Sequence, residues 1–346
     1  MRNALRLSVA DLGDFVRSSA LELDDGVPRA PLAFVNLSGD VPPDAVDVAH
    51  ASHVVLVGVA PDGVPPQAAG LAAALACTLV AGPASATTAV SVADLDAAID
   101  VLFGAVTRSP RAATALGGLL RTTARLPVVE GLVAESLAYS MLLAGPEFAR
   151  WRASNPVKPE REFADPAVLV SRDGATLHVT INRPLRHNAF SRFVRDGLVD
   201  AFDLVLYDDT ITDVRLTGNG ASFCSGGDLD EFGSTPDVAT AHLIRLDRSV
   251  ASRLDRCRDR VQVVLHGACI GAGIEISSFA GRVDARADAY FQLPELAMGL
   301  VPGAGGTVGI TRRIGRWRTT YLALTGEPID VETGLAWGLI DGRAED

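Results

Sequence analysis

Two strand-like runs in the second half of the chain, DVRLTG (213–218) and VQVVLH (261–266), each lead into a glycine-rich loop and then a helix. The loops are GASFCSGGDLDEF (220–232) and GACIGAGIEISS (267–278). Strand, tight loop and helix in repeated order predict parallel strands joined by crossovers, hence an α/β unit with covered faces. A small residue at a helix start leaves its backbone N–H unsatisfied and exposed, at the positive end of the helix dipole. Two such amides converging on one point would stabilise a developing oxyanion. Neither loop is a dinucleotide fingerprint: the first lacks G-x-G-x-x-G, and no acidic residue follows at the expected strand end.

The same strand–helix grammar runs through residues 167–346. VLVSRDG and TLHVTINRP predict a hairpin around Asp173–Gly174, followed by a helix near 190–207. An Arg-rich helix is expected near 238–260, VQVVLHGACI as one strand, and a last helix from about 316. Before this unit, residues 156–166 are Pro-rich, charged and apolar-poor, and predict a linker. In residues 1–155, SHVVLVGVA (52–60), a helix near 66–76 and the strand CTLVA make a βαβ unit. From residue 91 the pattern is helical. Ser91 or Asp94 can cap a helix in which Leu95, Ile99, Leu102 and Val106 recur at helical spacing. Two more helices follow, RAATALGGLLRTTARL and PVVEGLVAESLAYSMLLAG, the latter with Pro127 near its start and Gly145 near its end.

A length of 346 residues favours two units. The formal charge of −11 weighs against a nucleic-acid partner and means that an anionic ligand must be caught by local donors. Cys77, Cys224, Cys257 and Cys269 have no paired spacing and read as buried thiols. The histidines are scattered without ligand spacing, so no metal site is expected. No apolar run approaches the ~20 residues of a membrane helix, and the start lacks the pattern of a secretory signal. A cytoplasmic protein with no membrane partner is the expectation.

Taken in order, VTINRPLRHNAF, LTGNGASFCSGGDL, VLHGACIGAGIEIS and AYFQLPELAMGLVPGAGGT resemble the crotonase (enoyl-CoA hydratase/isomerase) superfamily. LTGEPIDVETGLAWGLID is similar to the stretch that closes its core, and the resemblance covers roughly 167–342. It implies a ββα spiral core in the C-terminal half. It places the first oxyanion amide on Ser225 and the second on Ala272. It implies syn hydration of a 2-enoyl-CoA, with Glu275 activating water and Glu295 delivering a proton to Cα. Two carboxyls can divide such roles when their surroundings push their pKa values apart. Arg186 and His187 fall in the segment that runs beside the CoA in this family, and Cys224, Gly226, Gly227, Asp228, Gly271 and Gly273 complete the two substrate-facing loops. Asp228 reads as a brace for the first loop and His266 as a structural imidazole. No cofactor is implied beyond the coenzyme A of the thioester itself, and the family implies a homo-oligomer, trimeric or hexameric, acting on acyl-CoA in fatty acid metabolism. Enoyl-CoA isomerisation, other acyl-CoA lyase or oxygenase chemistry, and a non-catalytic acyl-CoA-binding scaffold are the alternatives.

The order of the parts departs from the family. A crotonase core is usually followed by helices that cover its active site, whereas residues 91–155 here are similar to that tail and precede the core. Two arrangements follow. Residues 91–155 fold back over their own core as a displaced tail, or residues 1–155 form a degenerate crotonase-like half that packs as a pseudo-dimer. The first is favoured for the helices, because an uncovered core would expose a large apolar face. It would also let Arg150, Arg152 or Lys158 approach the CoA phosphates.

Overall fold

The computed structural model describes residues 4–19, 21–84, 86–158 and 165–345. Most of the expected linker, 159–164, lies outside the described residues. Strands Arg6–Ser8, Leu32–Asn36, Val55–Val59, Cys77–Val80 and Ala89–Ser91 form a parallel sheet in sequence order. Helices α1 (Leu12–Ser19), α2 (Ala45–Ala51) and α3 (Ala69–Ala74) belong to this part of the chain. Strand residues alternate between two apolar clusters. Ala33, Val35 and Leu56 pack with Leu12, Ala49 and Leu71 of α1–α3. Phe34, Val57 and Leu79 face the other way, into the main core. Both faces are therefore dry, which explains the unbroken apolar run around residues 54–59.

Four helices follow: α4 (Leu95–Arg108), α5 (Pro110–Thr123), α6 (Val128–Leu143) and α7 (Pro146–Ser154). Asp94 caps α4 by accepting from the Ala97 N–H at 3.0 Å. The buried carboxylate of Glu147, on α7, reaches back to the first turn of α5 and accepts from the N–H groups of Arg111 (2.9 Å) and Ala112 (3.0 Å).

The second unit is a six-stranded sheet, in the order Gly342–Arg343, Arg282–Ala285, Val261–Leu265, Asp213–Gly218, Thr176–Ile181, Val168–Asp173. Neighbours are parallel except for the hairpin that joins the last two strands. Leu177, Val179 and Ile181 point inward at alternate positions and pack with Val194, Leu198 and Phe202 of α8 (Arg192–Tyr207). The run expected as one strand, VQVVLHGACI, bends at His266–Gly267. Gly267 has φ +53, and a Cβ there would lie 2.1 Å from the Ala221 carbonyl oxygen. Ala268–Ile270 consequently leaves the large sheet and pairs with Tyr290–Gln292 in a small second sheet.

Two further expectations change. The Arg-rich segment is two helices, α9 (Val238–Asp247) and α10 (Val250–Arg256), because Ser249 caps the second by accepting from Ser252 N–H at 3.1 Å. α11 is the short helix Ala272–Ser277, and α12 runs Gly306–Thr325, starting well before 316. Gly315 inside α12 has φ 79 and ψ 154, and this local break makes only its second half legible as a helix. α13 (Val331–Trp337) follows.

The helices before the linker pack on the second unit within one chain: α5 and α6 on α12, and α6 also on α9 and α10. α6 comes close because Gly131 faces Val308, where an added Cβ would sit 3.0 Å from a methyl carbon. Thr123 donates to the Thr307 carbonyl at 2.8 Å. The first sheet is tied in as well, since Arg316 donates to the Leu75 carbonyl at 2.9 Å and Trp317 Nε1 to that of Ala73 at 3.1 Å.

Candidate active site

The loops singled out in the sequence lie side by side and are hydrogen-bonded to each other. Phe223 and Cys224 N–H donate to the carbonyls of His266 (2.9 Å) and Ala268 (3.1 Å), and Ile270 N–H returns a bond to Cys224 at 2.9 Å. Gly273 permits this approach: a Cβ there would meet the Cys224 carbonyl oxygen at 2.5 Å. Gly226, at φ +95, turns the first loop against Ile270. The Cys224 side chain is buried and its thiol is pushed up to about 12 by desolvation, so it packs and does not react.

A cavity of about 350 Å³ opens over these loops. Gly227, Asp228, Ala272, Glu275 and Glu295 form part of its wall, and Tyr139 and Phe148 reach it from α6 and α7. Ser225 does not belong to this wall. Its N–H donates to the His187 carbonyl at 3.0 Å and is therefore already used. The neighbouring Gly227 is different. Phe190 and Asp228 make the backbone bonds on either side of it, at 2.7 and 3.1 Å, and among the described residues its own N–H has no acceptor. Gly227 and Ala272, the first residue of α11, both line the cavity, and among the described residues neither N–H has an acceptor. Gly227 stands directly before Asp228 and two positions after Ser225, so the amide left without an acceptor lies later in the loop than the resemblance implies.

Arg186 also departs from expectation. Its guanidinium is bonded to Asp228 (2.9 and 3.2 Å) and to Asp230 (2.9 Å), so two carboxylates already balance its charge. Asp228 braces the loop through this bridge and through the Asp230 N–H at 3.1 Å. His187, in a left-handed conformation at φ 50, supplies the carbonyl that holds Ser225, and its ring meets Ser222 Oγ at 3.3 Å. His266 sits at the strand bend and its Nε2 contacts the Gly220 carbonyl at 3.0 Å, a structural contact. Arg152 braces the 229–232 loop, with a 2.8 Å bond to the Leu229 carbonyl and its guanidinium 4.9 Å from the Trp151 ring. Arg150 donates to the Arg108 carbonyl at 3.3 Å, and the Lys158 N–H to Asp230 at 3.0 Å.

The two glutamates flank Gly271. A Cβ there would lie 2.6 Å from Glu295 Oε1 and 3.7 Å from Glu275 Oε1. Their surroundings differ. Glu275 Oε2 accepts from the N–H groups of Ala304 (2.8 Å) and Gly306 (2.9 Å). Burial raises its pKa to about 7, and these amides act the other way by stabilising the carboxylate. Glu295 Oε2 is buried without a hydrogen-bond partner. Desolvation first, and then the Glu275 charge, push its pKa well above the ordinary carboxylate range.

A third carboxyl joins them from outside the resembling segment. Glu135 on α6 accepts from Gly305 N–H (2.7 Å), Thr307 N–H (2.9 Å) and Thr307 Oγ1 (2.7 Å). Alternate amides of one turn, 304 to 307, are thus shared between Glu275 and Glu135. Burial, with the Glu275 charge second, raises Glu135 to about 8. Its signal in the sequence is an acid in the inward stripe Leu132–Glu135–Tyr139–Leu142 of an otherwise ordinary helix.

Among the described residues, no group of three or more His, Cys, Asp or Glu side chains could hold a metal ion. Among them too, no single helix is long and apolar enough to cross a membrane.

The second half of the chain is similar in sequence to known proteins. A sequence profile described as "Enoyl-CoA hydratase/isomerase" matches residues 171–343. A 2,3-dehydroadipyl-CoA hydratase of Escherichia coli K12 is 31% identical over 173 residues, covering 50% of this chain and 67% of that protein. A 1,2-epoxyphenylacetyl-CoA isomerase of the same organism is 32% identical over 178 residues, covering 50% and 68%. The crystal structure of an enoyl-CoA hydratase from Thermoplasma volcanium aligns with a TM-score of 0.49 at 29% identity, covering 54% of this chain and 75% of that one.

Proposed function

The chain belongs to the enoyl-CoA hydratase/isomerase family, and from that premise we propose that it hydrates a 2-enoyl-CoA thioester. The observation that carries the reading is the contrast between the two glutamates under one pair of open amides. Glu275 has one oxygen anchored by Ala304 and Gly306, which favours its ionised form. Its other oxygen is left to take a proton from water as that water attacks Cβ. Glu295, with a buried oxygen that no donor meets, favours the protonated form and is the group to hand a proton to Cα. The Gly227 and Ala272 amides would hold the thioester oxygen while it carries the enolate charge. The proton that Glu275 gains and the one that Glu295 gives balance over the cycle, so no cofactor is needed for the step.

The test follows the loss of enoyl absorbance with crotonyl-CoA and longer 2-enoyl-CoAs, in wild type, Glu275→Gln and Glu295→Gln. A 3-enoyl-CoA is run in parallel to measure isomerisation. Saturable hydration by wild type, lost by a factor of roughly 10² or more in each variant, is the expected result. A wild-type protein that hydrates none of these thioesters would overturn the reading.

A further inference from the structure

We propose that Arg245 forms an anion subsite in the acyl part of the cavity, so that the preferred thioester carries a second carboxylate on its acyl group. The proposal rests on the thioester reading above and adds a substrate class to it. Arg245, on α9, lines the same cavity as Glu275, Glu295, Gly227 and Ala272. Its guanidinium is held in a fixed orientation by α6. Nε donates to Ser136 Oγ at 3.0 Å, and one terminal nitrogen bonds both Ser140 Oγ and the Ser136 carbonyl. The plane lies over the Tyr139 ring, 4.8 Å from its centroid.

This grip uses one edge of the fork. Among the described residues, the other terminal nitrogen has no hydrogen-bond acceptor, and no carboxylate lies within ion-pair distance of Arg245. Its neighbours differ in this respect: Arg248 pairs with Asp196 at 3.1 Å and Arg253 with Asp203 at 2.7 Å. Glu135 attracts Arg245 from farther away, but both its oxygens are occupied by Gly305 and Thr307. A partly buried cation with no carboxylate at ion-pair distance is costly, and burial lowers its pKa, whereas a bound carboxylate would relieve both effects.

The position suits the far end of a short acyl chain. The Tyr139 ring packs on Gly303, where an added Cβ would lie 2.4 Å from a ring carbon, and the next residue, Ala304, holds Glu275. Arg245 is therefore one aromatic ring away from the loop that positions Glu275. Leu143, Phe148, Phe190 and Phe232 give this wall its apolar stretches, and the other cation that lines it, Arg195, is paired with Asp196 at 2.9 Å. The acids Asp228, Glu231 and Asp237 in the same wall are engaged by Arg186, the Arg192 N–H and the Thr240 N–H, so a charge on the acyl group finds its partner at Arg245. With a net charge of −11, the protein offers no general attraction to an extra carboxylate, and a local guanidinium must supply it.

The experiment uses saturated thioesters, so that it does not depend on turnover. Calorimetric titration of the full chain compares the CoA monothioesters of butanedioic, pentanedioic and hexanedioic acids with butanoyl-, pentanoyl- and hexanoyl-CoA. At least one diacid thioester should bind roughly 10- to 100-fold more tightly than its monoacid partner. Arg245→Met should bring that ratio to about one. The double variant Ser136→Ala/Ser140→Ala, which releases the guanidinium from its hydroxyls, should lower it several-fold. No diacid preference in wild type, or a ratio that both variants leave unchanged, overturns the subsite. Tighter binding of a diacid thioester by a protein that hydrates neither crotonyl-CoA nor any other 2-enoyl-CoA would instead overturn the hydratase reading and leave the subsite standing.

Discussion

Replacing Glu135 by alanine tests whether the helix that precedes the core in sequence is a working part of the site. The side chain accepts three hydrogen bonds, two of them from the buried N–H groups of Gly305 and Thr307. Each orphaned amide costs about 1–3 kcal/mol. Removing a buried carboxyl whose pKa is raised by desolvation and by the Glu275 charge returns part of this. A net destabilisation of about 3 kcal/mol is therefore expected from the two amides less this relief. Catalysis should suffer separately, because the intervening amides of Ala304 and Gly306 are the ones that orient Glu275. A displacement of about 1 Å in such a group costs roughly 10²-fold in rate. Urea denaturation followed by circular dichroism reads the first effect, and kcat on a 2-enoyl-CoA reads the second. A stability within about 0.5 kcal/mol of wild type would refute the clamp, since that is the range of an ordinary surface substitution.

The pH profile offers a second check. Glu275, raised to about 7, must be ionised to act as base, so kcat/KM should rise with pH through that region. It should fall again where Glu295 loses its proton, above the usual carboxylate range. Stability should run the other way. Carboxyls whose folded pKa is raised hold extra protons in the native state, so the stability linked to Glu135 and Glu275 is present below about 4.5. It is lost as pH climbs through about 7 to 8, a trend that thermal melts across this window would measure. Gly271→Ala places a methyl 2.6 Å from Glu295 Oε1 at φ +49, and should abolish turnover measurably before it unfolds the chain. Gly227→Ala drives a Cβ to 2.4 Å from the Phe232 ring beside the open amide, and should raise KM and lower kcat; unchanged kinetics would remove Gly227 from the oxyanion pair. In the native protein, Cys77, Cys224 and Cys269 should resist a thiol reagent, because burial raises their pKa and closes access, and should react after denaturation.

The local features were open to reading from the sequence. Alternation in Thr176–Ile181, the Asp94 cap and the glycine loops before Asp228 and Glu275 are each set by neighbours a few residues away, where dihedral preference and periodicity act. Only the tertiary structure decided the rest. The Ser225 amide is used by His187 and Arg186 by Asp228 and Asp230, partners some forty residues distant. Glu135 meets Gly305 across a sequence separation of 170 residues, and no local pattern encodes a contact of that range. An acid within a core stripe signals that a buried partner must exist, because an unpaired charge there would be too costly. Which partner it has depends on how the helices cross, and that is fixed by close packing such as Gly131 against Val308.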